Sequence, residues 1–532
     1  MDYSHIPQYK KKSYTPAPEQ SGESKGRYPF VIVGSGPVGL ATALDLALKG
    51  HAVTVLTAFD FIAHGSKAIC FAKQSLDIFD RLGVVDRMLE KGVTWNVGKL
   101  FWRDKPEPVF EFDMQPVKQQ KNPAFINLQQ YYVEEYLVDA LEKLSNVDIR
   151  WGHRVYDIDV DEFDATLHIE TRDGNYSLVA DYVLACDGYG STIRQSMGLD
   201  FQGRIFEDNF LIADIRFAGD RAEEHPSERW FWFDPPFCPG GTALLHKQPD
   251  NVWRCDFQLG WDIDRDAATR PENVDPYIKG MFGDDIQYEE EWYSVYTFQC
   301  RRMDRFVHGP VIFVGDSAHL VSPFGARGAN GGLSDAENIA WKLDLVLRGE
   351  AGRDLIETYN TERVMGADEN ILNSTRSTDF MTPKSEASRA IRDAVLELSS
   401  EYAFARPFIN SGRLSRPTPY HQSCLSTPDR EDWINGPAPG HACMDAPLAN
   451  GRRNGWLLDA IGDQFTVLHF GKSAPRTELN TIELPTAGIA AERYDAERGA
   501  TYLIRPDQVV AARWKKATIA DIETAHLKAT AQ

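Results

Sequence analysis

The sequence predicts an α/β fold with a doubly wound sheet, a second and mostly antiparallel sheet, and a small C-terminal α/β domain. Between residues 30 and 56, an apolar run, a glycine-rich turn, a helical segment and a second apolar run follow one another, the order of a β-α-β unit. Residues 205–300 combine aromatic and β-branched residues with many turn signals, which is typical of antiparallel strands. The last hundred residues contain two strand-like runs and end in a helical segment.

Composition restricts the class of protein. The chain has 532 residues, which favours two or three domains. Hydrophobic residues make up 42% and charged residues 25%, as in soluble globular proteins. A formal net charge of -21 disfavours nucleic-acid binding. The seven cysteines are scattered without a Cys-x-x-Cys pair, so we expect reduced thiols, a cytoplasmic protein and no metal site. No apolar run is long enough for a bilayer, so we expect no membrane association.

The first β-α-β unit carries a glycine-rich turn. Residues 30–33 and 52–56 are short apolar runs, and residues 40–48 have helical spacing. Gly34-Ser-Gly-Pro-Val-Gly39 lies between the first run and the helix. These glycines permit a tight turn and a close approach of the backbone to a pyrophosphate at the helix N-terminus. An acidic residue usually follows the second strand to bind ribose; here Thr57 takes that position, with Asp60 as the alternative.

Two later segments place a carboxylate directly after a buried strand. Asp187 follows the apolar run that ends at residue 185, and Asp316 follows the run 311–314. The carboxyl ends of parallel strands form the ligand-binding edge of an open α/β sheet. After Asp316 comes a glycine-rich loop that opens a helix near Gly328. Backbone N–H groups at such a helix start can stabilise negative charge on a bound ring.

These three ordered motifs resemble those of the group A flavoprotein monooxygenases, the family of 4-hydroxybenzoate hydroxylase and phenol hydroxylase. Residues 65–71 and 125–134 are similar to the subset described as 3-(3-hydroxyphenyl)propionate hydroxylase-like. The resemblance implies a Rossmann-type FAD-binding domain over residues 29–410, interleaved with a mostly antiparallel substrate-binding sheet at roughly 95–125 and 200–305. Residues 441–532 resemble the thioredoxin-like domain of the phenol hydroxylase branch, where we expect a packing role or a homodimer contact. The composition of residues 1–28 predicts a flexible tail, and that of residues 411–440 predicts a linker.

The resemblance also implies roles for individual residues. Asp187 would serve both FAD and NAD(P)H, and Asp316 would bind the ribityl chain or a water linked to the pyrophosphate. Pro323 would lie beside the isoalloxazine and the substrate. The remaining FAD contacts implied by the family are Gly34, Ser35, Gly36 and Gly39 at the pyrophosphate, Thr57 at the ribose, Lys67 in place of a family arginine, Gln130 with Gln129 as its rival, and Gly328, Ala329 and Asn330 at the pyrimidine end of the flavin.

The substrate pocket is expected on the antiparallel sheet. Strand alternation predicts that Trp230 and Trp232 face one side and Phe231 the other. Arg254 occupies the place of a family arginine near the flavin, and His246 and Asp256 are the candidates for a proton relay. Each of them could instead be a sheet residue that fills the core or faces water.

The resemblance implies an FAD-dependent monooxygenase that uses NADH or NADPH, and O2, to hydroxylate a small phenolic or aminoaromatic compound through a flavin C4a-hydroperoxide. Two other hypotheses stay open. One is an FAD-dependent oxidase or reductase on the same fold. The other is a non-catalytic flavin-binding interaction protein. Purely structural roles are also open for Asp187, as the cap of a turn, and for His319, within its loop.

Overall fold

The computed structural model describes residues 7–23, 26–217, 227–409, 415–448 and 455–532. The strands are β1 Gln8–Lys11, β2 Arg27–Val33, β3 Val53–Thr57, β4 Phe61–Ala63, β5 Cys70–Ala72, β6 Val93–Thr94, β7 Val97–Trp102, β8 Phe110–Asp113, β9 Phe125–Asn127, β10 Val147–Trp151, β11 Arg154–Val160, β12 Ala165–Thr171, β13 Gly174–Ala185, β14 Gln202–Phe217, β15 Arg229–Phe233, β16 Thr242–Lys247, β17 Val252–Gly260, β18 Tyr288–Arg302, β19 Val307–His308, β20 Val311–Phe313, β21 His319–Leu320, β22 Thr466–Phe470, β23 Asn480–Leu484, β24 Ala500–Ile504 and β25 Val510–Trp514. The helices are α1 Pro37–Leu48, α2 Lys73–Arg81, α3 Val85–Lys91, α4 Gln130–Leu141, α5 Thr192–Ser196, α6 Arg265–Ala268, α7 Pro271–Phe282, α8 Gly328–Leu347, α9 Asp354–Met381, α10 Glu386–Glu401, α11 Arg406–Ile409, α12 Leu457–Ile461, α13 Ile489–Arg493 and α14 Ile519–Ala529. No helix within the described ranges is both long and apolar enough to cross a bilayer.

The first sheet contains a parallel set of strands in the order β10-β3-β2-β13-β20. The first half of β13 pairs instead with β12, which pairs antiparallel with β11. Helix α1 packs against α4 and α8. The β2-α1-β3 unit therefore matches the strand-turn-helix-strand order that the sequence predicts.

The parallel strands end in register. Val33 pairs with both Leu56 and Ala185, and Ala185 pairs with Phe313. The glycine-rich turn and the segments that carry Asp187 and Asp316 follow these strand ends directly. All three motifs therefore meet at one edge of the sheet.

The second sheet has the order β21-β18-β14-β17-β16-β15-β7-β8. Only the pairing of β15 with β7 is parallel. One face of this sheet packs on α7 through Val274 and Ile278. The other face belongs to a cluster with Phe324 and Met381, so this sheet covers the loop that precedes α8.

The C-terminal residues form a four-stranded sheet in the order β23-β22-β24-β25. Strands β22 and β23 are parallel, and the other pairs are antiparallel. Of the segment interpreted as a linker, residues 411–414 lie outside the described residues, and residues 415–440 contain no helix or strand. Tyr420 and Leu425 of this segment are buried, so it packs against the surrounding elements.

The expectation of a flexible N-terminal tail is wrong for residues 7–23. Strand β1 pairs antiparallel with β4, and the Tyr9 ring lies 4.4 Å from that of Tyr131. Glu19 forms an ion pair with the buried Arg150. The tyrosine contacts and the buried ion pair hold a segment whose polar composition predicted disorder.

Candidate active site

The glycine-rich turn has one side that the protein leaves open. Gly34 has a φ of 112°, and an added Cβ would lie less than 3.0 Å from the Cys186 carbonyl oxygen. A Cβ on Gly39 would also lie less than 3.0 Å from the Gly34 carbonyl oxygen. Protein packing therefore explains both glycines. A Cβ on Gly36, the N-cap of α1, would meet no protein atom within 4 Å, so packing does not explain that glycine.

Thr57 ends β3 beside this turn. The Ser35 hydroxyl lies 2.8 Å from the Thr57 hydroxyl, and Thr57 is buried. The hydroxyl that replaces the usual acidic residue is thus engaged with the glycine-rich turn itself.

Asp316 is the exposed residue in the otherwise buried run 311–320. The protein atoms around its carboxyl displace water and raise its pKa, while nearby His319 and Lys67 lower it. The Lys67 ammonium lies 5.5 Å from the centre of the Tyr189 ring and close enough to Asp316 to lower its pKa. A cation in this position can help to hold an anionic ligand.

Gln130 is tied to the segment that carries Lys67. Its side-chain oxygen accepts a hydrogen bond from the Ala68 N–H at 3.1 Å, and its Nε2 donates to Glu134 at 2.8 Å. Gln129 points elsewhere and donates to the Pro249 carbonyl oxygen. These contacts favour Gln130 over Gln129 as the residue next to a ligand at Lys67.

Asp187 has a structural contact at the start of the short helix α5, whose N-cap residue is Ser191. Its Oδ2 accepts a hydrogen bond from the Ile193 N–H at 3.2 Å. Its Oδ1 is buried without a hydrogen-bond partner, and burial raises the pKa of the carboxyl. Arg194 donates to the carbonyl oxygens of Ser317 and Tyr189, and so joins this loop to the one that carries Asp316.

The Asn330 side chain fixes the start of α8 to β5 and α2. Asn330 Oδ1 accepts hydrogen bonds from the Ala72 N–H and the Ser75 hydroxyl at 2.9 and 2.6 Å. The first helical hydrogen bond runs from Gly331 N–H to Arg327. The N–H groups of residues 328–330 therefore precede the helical bonding pattern and can serve a ligand.

A buried carboxylate fixes the loop before α8. Asp335 accepts hydrogen bonds from the Gly315 N–H at 3.0 Å and from Arg363 at 2.5 Å. His319 Nε2 lies 2.6 Å from the same carboxylate. His319 thus has the structural role, since its contact is with Asp335 inside the fold.

An apolar pocket lies between the antiparallel sheet and this loop. Its walls come from β7, β8 and β15, from the loop before α8, and from α9 and α11. The lining residues are Trp95, Leu100, Phe112, Met114, Arg229, Phe231, Phe233, Phe324, Gly325, Ser377, Phe380, Met381 and Ile409. Phe231 lines the pocket, while Trp230 and Trp232 pack on the opposite face, as the alternation predicts.

The three predicted polar residues of the sheet lie on one face. Arg254 pairs across the strands with His246, and Asp256 lies two residues further along β17. His246 Nε2 lies 3.1 Å from Asp256 Oδ2. Burial and nearby Arg229 lower the pKa of His246 to about 4. Arg254 forms a buried ion pair with Asp214, and none of the three predicted residues is among those that line the pocket.

The charged residue that lines the pocket is Arg229, which the sequence analysis did not single out. It starts β15 and pairs with His246 across the sheet. The sequence could have indicated Arg229 as a pocket residue, because strand alternation places it on the same face as Phe231. Trp95, Phe112 and Met114 come from the earlier segment of the interleaved domain, and no local motif marks them.

Comparisons with known proteins agree with this geometry. A family profile described as "FAD binding domain" matches residues 27–374. The chain belongs to this FAD-binding family. The match confirms both the resemblance to the flavoprotein monooxygenases and the expectation of FAD.

Relatives and structures agree with this family. The chain is 28% identical to the 3-(3-hydroxy-phenyl)propionate/3-hydroxycinnamic acid hydroxylase of Mycolicibacterium gilvum (strain PYR-GCK), over 82% of this chain and 75% of that protein. It is 28% identical to the para-nitrophenol 4-monooxygenase of Pseudomonas sp. (strain WBC-3), over 63% of this chain and 82% of that protein. The flavin-dependent monooxygenase PieE has the same fold, with a TM-score of 0.80, 22% identity and coverage of 96% and 100% of the two chains.

The residues at the sheet edge fit the cofactor of this FAD-binding family. Gly36 leaves open space beside the N-terminus of α1, where a pyrophosphate can approach the backbone. Asp187 keeps one buried oxygen without a partner. Lys67 lies near Asp316, and the N–H groups of residues 328–330 precede the helical hydrogen bonds of α8. These groups can hold an anionic ligand.

Proposed function

We propose that the protein is an NAD(P)H-dependent flavoprotein monooxygenase that hydroxylates a small phenolic or aminoaromatic compound. One observation carries the proposal: Phe324 and Gly325, which follow Pro323 directly in the loop before α8, also line the apolar pocket. A ring held in the pocket therefore lies next to the candidate flavin position. Bound FAD supplies the capacity to take a hydride from NAD(P)H and to activate O2. The printed activities of the hydroxylase and monooxygenase relatives support the same reaction class.

The chain's own residues position the cofactor and the ring. In this proposal the turn from Gly34 to Gly39 holds the pyrophosphate, with Ser35 and Thr57 beside it. Asp316 and Gln130 bind the middle of the ligand, and Lys67 adds charge. The N–H groups of Gly328, Ala329 and Asn330 face the pyrimidine end of the ring. Pro323, exposed between the buried Ser322 and Phe324, separates this site from the pocket.

We further propose that His246 and Asp256 move the phenolic proton. With a pKa near 4, His246 is neutral at physiological pH but a weak base. It pairs across the sheet with Arg229, which lines the pocket, so in this proposal it acts as an inner member of a relay and not by direct contact with the ring. Asp256 lies 3.1 Å away and can stabilise the imidazolium that results. Arg254 acts through Asp214 as a positioning residue, because that pair fixes β17 next to β14.

The C-terminal unit supports the catalytic unit through packing. The order β23-β22-β24-β25, with a single parallel pair, supports a thioredoxin-like fold. The sequence has no Cys-x-x-Cys pair, so redox chemistry of that unit is not part of the proposal. Arg505 of this unit forms a buried ion pair with Glu362 of α9, which joins the two units.

The test is substrate-stimulated turnover of the purified holoenzyme. NADH and NADPH oxidation are followed across phenols, phenolic acids and aminoaromatics, with product mass and H2O2 measured in parallel. A compound that accelerates oxidation and gains one oxygen atom supports the proposal. Stimulated oxidation that yields H2O2 alone would indicate an oxidase. Tight FAD binding without any stimulated oxidation would indicate a flavin-binding interaction protein.

A further inference from the structure

The loop that carries Lys67 follows β4, a strand whose partner belongs to the N-terminal arm, residues 7–23. Among the described residues, β1 of this arm is the one strand that pairs with β4. The His64 N–H, directly after β4, donates to the Pro7 carbonyl oxygen at 2.8 Å. The family profile matches residues 27–374. The backbone leading to Lys67 is therefore supported by a segment that lies outside the family match.

Tyr9 of the arm packs between the start of α4 and the residue that follows β4. The centre of its ring lies 4.4 Å from that of Tyr131 and 6.4 Å from that of His64. Its hydroxyl donates to Glu135 at 2.8 Å, about one turn further along α4. Tyr131 directly follows Gln130, the first residue of α4. A single side chain thus joins the start of α4 to the end of β4.

The loop between β4 and β5 fits closely against its surroundings. Ser66 is buried, and its hydroxyl accepts a hydrogen bond from the Gln130 N–H at 2.9 Å. Gly65 has a φ of 106°, and a Cβ there would lie 3.0 Å from the Trp292 ring of β18. The loop therefore has little room to adjust, so a shift of β4 or of the start of α4 would also move Lys67.

We propose that Tyr9 is a positioning residue for FAD, through which the N-terminal arm keeps the Lys67 loop and the start of α4 in the geometry that binds the cofactor. This inference rests on the proposed function for the placement of FAD beside Lys67 and Gln130. The arm acts through packed rings and a hydrogen bond to a carboxylate, both of which hold a defined geometry. Because coupling between sites is reciprocal, bound FAD must in turn stabilise the arm.

The experiment measures FAD affinity in the full-length apoprotein, from the quenching of flavin fluorescence, for Tyr9→Ala, Tyr9→Phe and Lys12→Met. Tyr9→Phe keeps the ring and removes the hydrogen bond to Glu135. Lys12→Met is the control, because Lys12 belongs to the same arm but pairs with Glu142, the C-cap residue at the other end of α4. Hydrogen exchange of each apoprotein reports the local stability of β4 and its loop.

We expect Tyr9→Ala to weaken FAD on the order of 5- to 50-fold, the usual size of a coupling between two sites. Exchange across residues 61–67 should accelerate, while exchange in the distant strands β24 and β25 should not. Tyr9→Phe should restore most of the affinity, and Lys12→Met should match the wild type. Wild-type FAD affinity in Tyr9→Ala overturns the inference. An equal loss in Lys12→Met, or equal acceleration in β4 and β24, also overturns it.

The wild type supplies a second test that needs no variant. FAD added to the apoprotein should slow hydrogen exchange in residues 8–11 of β1, although the arm is not among the proposed cofactor contacts, because the coupling acts in both directions. Unchanged exchange in β1, with protection confined to the proposed FAD contacts, overturns the inference even if Tyr9→Ala fails to fold.

Affinity and turnover separate the two proposals. FAD affinity that depends on Tyr9, without an oxygenated product from any substrate, would contradict the monooxygenase reaction and leave the role of the arm intact. Oxygenated product, together with FAD affinity that is independent of Tyr9, would contradict the role of the arm alone.

Discussion

Arg254 donates two hydrogen bonds to Asp214, from Nε to Oδ1 at 2.8 Å and from Nη2 to Oδ2 at 2.7 Å. Both residues are buried on the same face of the antiparallel sheet. The arginine that the family resemblance places near the flavin is thus already neutralised by the protein. Arg229, two strands away on this face, is the arginine that lines the apolar pocket.

Breaking this ion pair should destabilise the sheet. Asp214→Asn leaves the Arg254 guanidinium buried without a counter-charge, which typically costs about 3–5 kcal/mol. We expect a clear fall in the Tm of the apoprotein and the holoenzyme. Arg216→Met in the same strand is the control, since its pair with Glu291 is partly exposed and should contribute less than about 1 kcal/mol. Equal Tm values for the two variants would contradict this account.

Alanine at Gly36 and at Gly39 should affect different properties, FAD affinity in one case and apoprotein stability in the other. Gly39→Ala forces a Cβ against the Gly34 carbonyl, so the apoprotein itself should lose stability. Gly36→Ala meets no protein atom within 4 Å, so the apoprotein should keep its Tm while FAD affinity falls at least about tenfold. Thermal melts of the apoprotein and FAD titrations measure the two effects. Normal FAD affinity in Gly36→Ala would place the pyrophosphate elsewhere.

Glu134 should make stability depend on pH. Burial raises the pKa of this carboxyl to about 7 from 4.5. The folded protein therefore holds a proton that the unfolded chain releases, and stability falls as pH rises from about 4.5 to 7, by on the order of 3 kcal/mol. Glu134→Gln should reduce the difference in Tm between pH 5 and pH 7.5. Glu142→Gln is the control: Glu142 is the C-cap residue of α4 and its side chain is 48% exposed, so this variant should keep the wild-type difference.

Glu362 should hold the C-terminal unit on α9. It accepts hydrogen bonds from Arg505 and Lys342, all three being buried, and these cations lower the pKa of its carboxyl against burial. Glu362→Gln leaves two buried cations under-compensated, so we expect a loss of about 3–5 kcal/mol. Hydrogen exchange in β24 and β25 should accelerate. Glu357→Gln, in an exposed pair on the same helix, should change neither Tm nor exchange; similar effects of both would contradict a specific role for Glu362.

Local patterns account for the elements that could be predicted from the sequence. The glycine-rich turn, its flanking strands and helix α1 depend on neighbours within about thirty residues, so apolar spacing and glycine positions are sufficient. The same holds for the helix after Gly328, which runs to Leu347. The alternation in β15 correctly separated Phe231 from Trp230 and Trp232, because the side-chain period of a strand is two residues.

Long-range contacts account for what the sequence did not show. The N-terminal strand β1 is held by β4 and by Glu135, and its polar composition carries no sign of either partner. In the same way, nothing near Arg254 in the chain indicates that Asp214, 40 residues away, takes its charge.

The sequence by itself indicated the family through the resemblance of its three motifs. It also determined the edge of the parallel sheet where those motifs meet and the face on which each strand residue lies, because these follow from local spacing and strand order. Only the tertiary structure decided which partner each charged side chain on this face has. Alternation gives the face of Arg229, His246, Arg254 and Asp256 alike, but their pairing depends on the order and register of strands distant in the chain. That order neutralises Arg254 through Asp214, pairs His246 with Asp256, and leaves Arg229 at the pocket.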